Sequence, residues 1–356
     1  MVKLGILGAG IITECHFYGI DRIDGATVAA IASVDEAAGK AAADKYGAAL
    51  YTDYRELLDK EKSLDGIIVA LPNFMHREAV EYAIKAGHKN ILCEKPLGIN
   101  PAESAGLVKL AKESGANLQV GYMKRFNPGF QLIKDAMAEL GTIQFITVEL
   151  YMTGPDPAKM KNNASAKNVV WQDDALLNGG GLITSSSSHQ IDLLQYLFGT
   201  VKSISCKCRY IGDRDYYLKG IFTTEDGVDI DIRLGRVDLP TVGPDWQPYR
   251  KPSWNESVEV VGANGYIKAD NPNWRGWDAM KVKRWMKGQA GPEIIPFNCA
   301  DQWVNEMLAF VQSCKTGRPD PRMCTAAGGY RTDYLIERIH ESSKLGGKEL
   351  AMDYEF

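Results

Sequence analysis

Residues 3–7 form a short apolar run, and Gly8-Ala9-Gly10 leads from it into a helical stretch over residues 11–20. This junction constrains the fold more than any other feature of the chain. A strand that passes through Gly-x-Gly straight into a helix turns tightly at the first glycine, and at the second its backbone can lie against a pyrophosphate. The leading N–H groups of the helix have no partners within it and favour an anion. Gly8, Gly10, Ile11 and Ile12 are therefore candidate cofactor-binding positions. At the third position of the pattern Thr13 replaces the usual Gly or Ala. That residue governs helix–strand packing, so the departure weakens the fingerprint without removing the phosphate site. The competing reading is a glycine turn that serves packing alone.

Apolar runs at residues 27–32, 66–71, 90–93 and 117–121 alternate with helical stretches at 36–46, 75–86 and 102–113. This βαβα order predicts a parallel, doubly wound sheet, and the unbroken run Gly66-Ile67-Ile68-Val69-Ala70-Leu71 suits a strand buried on both faces. After Tyr122 the rhythm changes. Helices are expected at 129–140 and 182–198, a half-exposed strand at 143–152, and loop between 155 and 178. Strand-like runs follow at 203–210, 217–223, 228–234 and 258–268, with turn signals at Asp226-Gly227 and Asn264-Gly265. Closing helices are expected at 302–312 and 331–343. A chain of 356 residues exceeds one typical core. The expected division is an α/β dinucleotide-binding domain over 1–122 and an α+β domain over 123–356, built on a large open, mostly antiparallel sheet. The closing helices are free to pack back on the first domain.

Hydrophobic residues make up 45% of the chain, charged residues 24%, and the net charge is −4. That balance lacks the basic surplus that nucleic acid or an anionic membrane calls for. No apolar run approaches the roughly 18–20 residues of a membrane span, and the opening residues read as a strand rather than a leader. The seven cysteines follow no repeated spacing. They predict free thiols in a reducing compartment, and with the missing leader a cytoplasmic protein. Cys206 and Cys208 read as strand cysteines, and no His/Cys/Asp/Glu set has zinc spacing, so no metal is expected.

The second strand should end at the residue that meets the adenosine ribose. A carboxylate there favours NAD, since it accepts from the 2′-hydroxyl and repels a 2′-phosphate. Here Ser33 takes that place, with Asp35 two residues on and no adjoining arginine. NAD and NADP both remain open, the balance tipping toward NADP.

Three further segments sharpen the reading. Pro72-Asn73-Phe74-Met75-His76 follows the strand at 66–71, Glu94-Lys95-Pro96 follows the next strand, and Gly179-Gly180-Gly181 precedes His189-Gln190-Ile191-Asp192. In this order and spacing they resemble the glucose-fructose oxidoreductase / inositol dehydrogenase / MocA (Gfo/Idh/MocA) family over nearly the whole chain. The resemblance implies an NAD(P)-dependent oxidoreductase acting on a sugar, inositol, glycoside or related polyol. It implies that Lys95 polarises the substrate hydroxyl and that His189 is the general base, chemistry suited to a cationic amine and a near-neutral imidazole. Asp192, three residues on, would share a helix face with His189 and so contact substrate or orient the ring, the competing reading being a residue that caps or solvates the helix. By the same resemblance Glu94, Lys95, Pro72, Asn73 and His76 lie toward the cofactor, and Tyr122, Arg125 and Ser185 line the substrate cleft. Trp171 reads as a packing residue, with a place beside Asp174 in a loop over that site as the alternative, and loops 155–178 and 235–255 are expected to select the substrate. His16, His88 and His340 sit in no motif.

The chain departs from the family at Ser185, where an Asp usually stands four residues before the histidine, and at Ser187, usually a glycine. A hydroxyl cannot stabilise an imidazolium as a carboxylate can. Two other function classes stay open: a redox-neutral NAD-dependent glycosidase, which the same architecture could serve, and a non-catalytic NADP-binding regulator, which the missing Asp at Ser185 supports. A homodimer or homotetramer is expected, since an open sheet exposes a large face.

Overall fold

The structure, a computed structural model, describes residues 1–152, 175–236, 254–275 and 279–355. Trp171 and Asp174 fall outside these residues, as do most of loops 155–178 and 235–255. The chain divides into two compact units: Met1–Phe126 with Gln302–Asp333, and Asn127–Asp301 with Tyr334–Glu355.

The first unit is built on a seven-stranded sheet: β1 Val2–Leu7, β2 Ala26–Ala32, β3 Ala49–Tyr51, β4 Gly66–Val69, β5 Asn90–Glu94, β6 Asn117–Gly121 and, much later, β15 Cys324–Thr325. Its order is β15-β6-β5-β4-β1-β2-β3. Every pair is parallel except β15 with β6. The order 3-2-1-4-5-6 is that of a Rossmann domain, in which ligands gather at the carboxyl ends of the strands. Helices α1 Ile11–Ile20, α2 Glu36–Tyr46, α3 Tyr54–Lys60, α4 His76–Lys85 and α5 Pro101–Ser114 make the crossovers. Alternate residues of β4 explain its unbroken apolar run. Ile67 and Val69 join one core cluster with Leu7, Ile91 and Cys93, while Ile68 joins another with Leu4, Ile6 and Leu92. The short β3 and α3 were not expected, because a three-residue strand carries no readable alternation.

The second unit is a nine-stranded sheet in the order β14-β13-β12-β11-β7-β10-β9-β8-β16. Its strands are β7 Ile143–Met152, β8 Val201–Ile211, β9 Arg214–Thr224, β10 Asp229–Arg236, β11 Trp254–Gly262, β12 Gly265–Asn271, β13 Ala279–Met286, β14 Glu293–Asn298 and β16 Leu350–Ala351. All pairs are antiparallel except β7 with β10. One run expected at 258–268 is in fact two strands, since the chain reverses between Gly262 and Gly265, which pair across the turn. β13 and β14 were missed because their alternation is carried by lysines and exposed residues. One face of the sheet packs on helices. Ile146, Val148, Ile230, Ile232, Val258 and Val260 form a core with α6 Pro128–Ala136, α8 Ser188–Phe198 and part of α10 Ala326–Lys344. A four-residue helix α7, Ala175–Asn178, precedes α8, and α9 Asp301–Thr316 precedes β15. No described helix is long and apolar enough to cross a membrane.

Candidate active site

In the first unit the candidate residues gather at the strand ends. Gly8 has φ +108°, and a Cβ there would sit 2.4 Å from the Ala70 carbonyl oxygen, so only glycine fits. At Gly10 an added Cβ would meet nothing within 4 Å, which leaves open space beside the start of α1. Thr13, the departure from the fingerprint, is buried and donates its hydroxyl to the Gly8 carbonyl at 3.0 Å. It fastens the turn from within. Ile11 is exposed and Ile12 half-buried at the head of the helix.

Past β2 the Ser33 hydroxyl donates to the Asp35 carbonyl at 3.0 Å and accepts the Asp35 N–H at 3.2 Å. Its one proton is thus used within its own turn. Asp35 caps α2 by accepting the Ala38 N–H, and Glu36 follows it in the first helical turn. Carboxylates, not the serine, dominate this end of β2.

At the end of β5, Glu94 is buried and its Oε1 lies 2.9 Å from His16 Nε2, while Oε2 accepts the backbone N–H of Lys95 at 3.2 Å. Burial raises the Glu94 pKa, but the hydrogen bond and charge of His16, with Lys95, outweigh it and bring it down. Burial lowers the pKa of the half-buried Lys95; Glu94 opposes this and Lys124 adds to it. Lys124 is itself buried. Glu306 on α9 is also buried, with no hydrogen-bond partner for either carboxyl oxygen among the described residues. Burial and the Glu94 charge push its pKa well up. Nothing in the sequence marks Glu306 or His16, since their neighbours come from distant segments.

The remaining first-unit candidates are placed as follows. Pro72 and Asn73 follow β4, and Asn73 is buried. His76, expected to lie toward the cofactor, is turned inward, with Nδ1 2.7 Å from the Pro96 carbonyl and Nε2 2.8 Å from that of Leu71. Tyr122, expected to line the cleft, packs in the core cluster that holds Leu97 and Val120. Arg125 Nη1 donates to the Met323 carbonyl at 3.4 Å.

In the second unit His189, Asp192 and Ser185 ride on one helical segment. A π-helical turn, Ile183–Ser187, runs directly into α8, so the single helix expected at 182–198 begins with a widened turn. Such turns are frequent at functional sites. Its start is held from β9: Asp215 Oδ2 accepts the Gly181 N–H at 2.9 Å and Oδ1 accepts the Ile183 N–H at 2.7 Å. Gly181 is obligatory, since a Cβ would lie 2.3 Å from the Asp215 carbonyl oxygen. Asp215 Oδ2 also lies 3.8 Å from His340 Nε2, and His340 Nδ1 is 2.9 Å from the Tyr210 hydroxyl. His189 and Asp192 are buried, and Ser185 is half-buried. Next to His189, Gln190 donates to Glu256 Oε1 at 2.5 Å, and Glu256 Oε2 accepts from Asn271 at 3.0 Å and Trp254 at 3.2 Å. This buried network fixes α8 against β11 and β12. No group of His, Cys, Asp or Glu among the described residues has the arrangement to hold a metal.

Comparison with known proteins finds matches along the chain. Residues 2–122 match the oxidoreductase family with an NAD-binding Rossmann fold, and residues 130–268 match the GFO/IDH/MocA C-terminal domain. An uncharacterized oxidoreductase, YrbE, of Bacillus subtilis is 25% identical over 97% of this chain and 95% of its own length. An inositol 2-dehydrogenase of Rhizobium meliloti is 26% identical, with 76% of each chain covered. Among solved structures, a levoglucosan dehydrogenase in complex with NADH superposes with TM-score 0.82 at 18% identity, covering 99% of both chains.

Proposed function

Because the chain belongs to the Gfo/Idh/MocA family of oxidoreductases, which act on CH–OH groups, we propose that it moves hydride between NAD and a secondary hydroxyl of a sugar, inositol, glycoside or related polyol. The turn at Gly8 and Gly10 fits a dinucleotide, since one glycine excludes any side chain and the other leaves open space at a helix start. When bound, the nicotinamide supplies or accepts the hydride. The side chains do the rest. Lys95 hydrogen-bonds the reacting hydroxyl and stabilises its developing negative charge. His189 takes the hydroxyl proton in oxidation and returns it in reduction, with Asp192 supporting it from the same helix face.

The observation that carries this reading is the end of β5. Glu94 is anchored by His16 and in turn holds the Lys95 backbone, while burial and Lys124 keep the Lys95 amine below its usual pKa. A lysine set this way suits proton sharing with an alcohol better than a surface amine does.

NAD is favoured over NADP on the geometry after β2. The Ser33 proton is committed to Asp35, and the carboxylates of Asp35 and Glu36 follow at the start of α2, residue types that would repel a 2′-phosphate bound nearby. The chain is also proposed to associate with itself. Phe145, Val261, Tyr266 and Trp285 line up across β7, β11, β12 and β13 on the sheet face away from the helices. Phe145 and Trp285 are exposed there. Light scattering at micromolar concentration should return a dimer or tetramer mass; a monomer would count against it.

The test of function is reduced-nicotinamide absorbance with NAD and NADP across a polyol and glycoside panel. Turnover with at least one substrate is expected, lost in Lys95→Ala and in His189→Ala. Sugar release without net cofactor reduction would point to the redox-neutral glycosidase. Cofactor binding with no turnover anywhere would point to a regulator.

A further inference from the structure

His76 begins α4 with its ring fully buried, at 0% exposure. Its two nitrogens lie 2.7 and 2.8 Å from the carbonyl oxygens of Pro96 and Leu71. A carbonyl can only accept. A neutral imidazole carries one N–H and one bare lone pair. In either tautomer, therefore, one ring nitrogen would aim its lone pair at a carbonyl oxygen within hydrogen-bond distance. Turning the ring over would put carbon at both positions and break both bonds. Only the imidazolium offers a donor to each carbonyl.

The surroundings pull both ways. The net direction is downward, against protonation: burial is the largest influence and lowers the His76 pKa, the two carbonyls and the Glu94 carboxylate offset it only in part, and the neighbouring Lys95 charge lowers it further. Around these, His16 sits on Glu94, and Lys124 acts on Lys95. Against that direction stands the geometry of the two contacts. A buried lone pair pressed against a carbonyl has no water to relieve it, whereas a buried cation with two short carbonyl bonds and a carboxylate nearby is satisfied.

We propose that His76 is carried as a buried imidazolium whose two N–H groups join the Leu71 carbonyl to the Pro96 carbonyl, making it a positioning residue for Lys95. Leu71 immediately precedes Pro72, and Pro96 immediately follows Lys95. One ring thus sets the spacing between the loops that leave β4 and β5. The positioning role rests on Lys95 being the reacting lysine; the protonation state does not.

The experiment is a long-range proton–nitrogen correlation on the full chain carrying ¹⁵N-histidine, near pH 8, where a ring of ordinary pKa near 6.5 is neutral. The chain has five histidines, so ring signals can be assigned by substitution. His76→Asn should remove a ring with N–H on both nitrogens. Should that variant not fold, His16, His88, His189 and His340 are replaced one at a time, and a doubly protonated ring surviving all four substitutions is His76. A His76 ring with one bare nitrogen near pH 8 overturns the proposal, whatever the enzyme's activity. In folded His76→Asn, kcat should fall at least about tenfold with cofactor affinity within about twofold of the parent. An unchanged kcat overturns the positioning role even where the ring is doubly protonated. Absence of turnover in the parent would instead refute the dehydrogenase reading and leave the ring measurement to stand or fall alone.

Discussion

In the first unit the candidate site residues lie where neighbouring parallel strands end, each within a few residues of its strand: Gly8 after β1, Ser33 and Asp35 after β2, Pro72 after β4, Lys95 after β5. In the second unit His189 lies on a helix whose start is tied to Asp215, 34 residues from Gly181 on strand β9. A parallel sheet brings its strand ends together by topology alone, so local motifs suffice to mark the site. The second unit has to assemble its site from contacts between segments far apart in sequence. Damage to the first kind of site should stay local and act on ligand binding; damage to the second should act on folding and on the proposed base together.

Asp215→Ala sharpens that contrast most. It strips acceptors from two buried N–H groups, each costing about 1–3 kcal/mol. A loss of roughly 2–5 kcal/mol in urea unfolding is expected, with NAD affinity unchanged in the protein that remains folded. Equal loss of NAD affinity would break the comparison. Gly8→Ala should do the reverse. Its strained φ and the Ala70 carbonyl cost about 1–3 kcal/mol. Calorimetric titration should show NAD affinity down about tenfold to a hundredfold, with His189 chemistry intact at saturating cofactor.

Asp35→Ser tests the cofactor preference. Removing one of the two carboxylates should move the NAD:NADP ratio of kcat/KM about tenfold toward NADP, or ~1.4 kcal/mol. No change would place the ribose contact elsewhere. The smallest effect is expected at Glu306. A buried acid with a raised pKa binds its proton more tightly folded than unfolded, so its contribution is fully present below the unfolded pKa and is lost as pH rises. Glu306→Gln should therefore match the parent near pH 4.5 and gain several degrees of Tm by pH 8, at ~2–4 °C per kcal/mol for larger domains. A gain that is the same at both pH values would mean that Glu306 does not titrate in this range.

The same contrast explains what could be read from the sequence. The strand–Gly-x-Gly–helix junction, the buried run of β4 and the Glu94-Lys95-Pro96 strand end are contiguous, and residue type and order were enough to place them. Thr13 was legible as a departure but not as the hydroxyl that ties Gly8. Ser33 was legible as a neutral residue at the end of β2, but its bond to Asp35 was not, since that bond is a matter of dihedral angles, which composition does not reveal. His16 on Glu94, Glu306 beside Glu94, and His340 with Asp215 carried no motif. Each pairs residues tens or hundreds of positions apart, which only the folded chain brings together. Ser185, where the family usually has Asp, sits on a segment whose carboxylate support comes from Asp215, and that acceptor serves backbone N–H groups at the helix start.

The most direct test is single-turnover hydride transfer with bound NAD and an accepted polyol, comparing the parent with Lys95→Met and His189→Asn and measuring NAD affinity alongside. Loss of one stabilising donor or one general base should slow the step by about 10²–10⁴-fold in each variant, with NAD affinity within about threefold of the parent. A parent-like rate in either variant would contradict the account, since that side chain would then have no part in the proposed reaction.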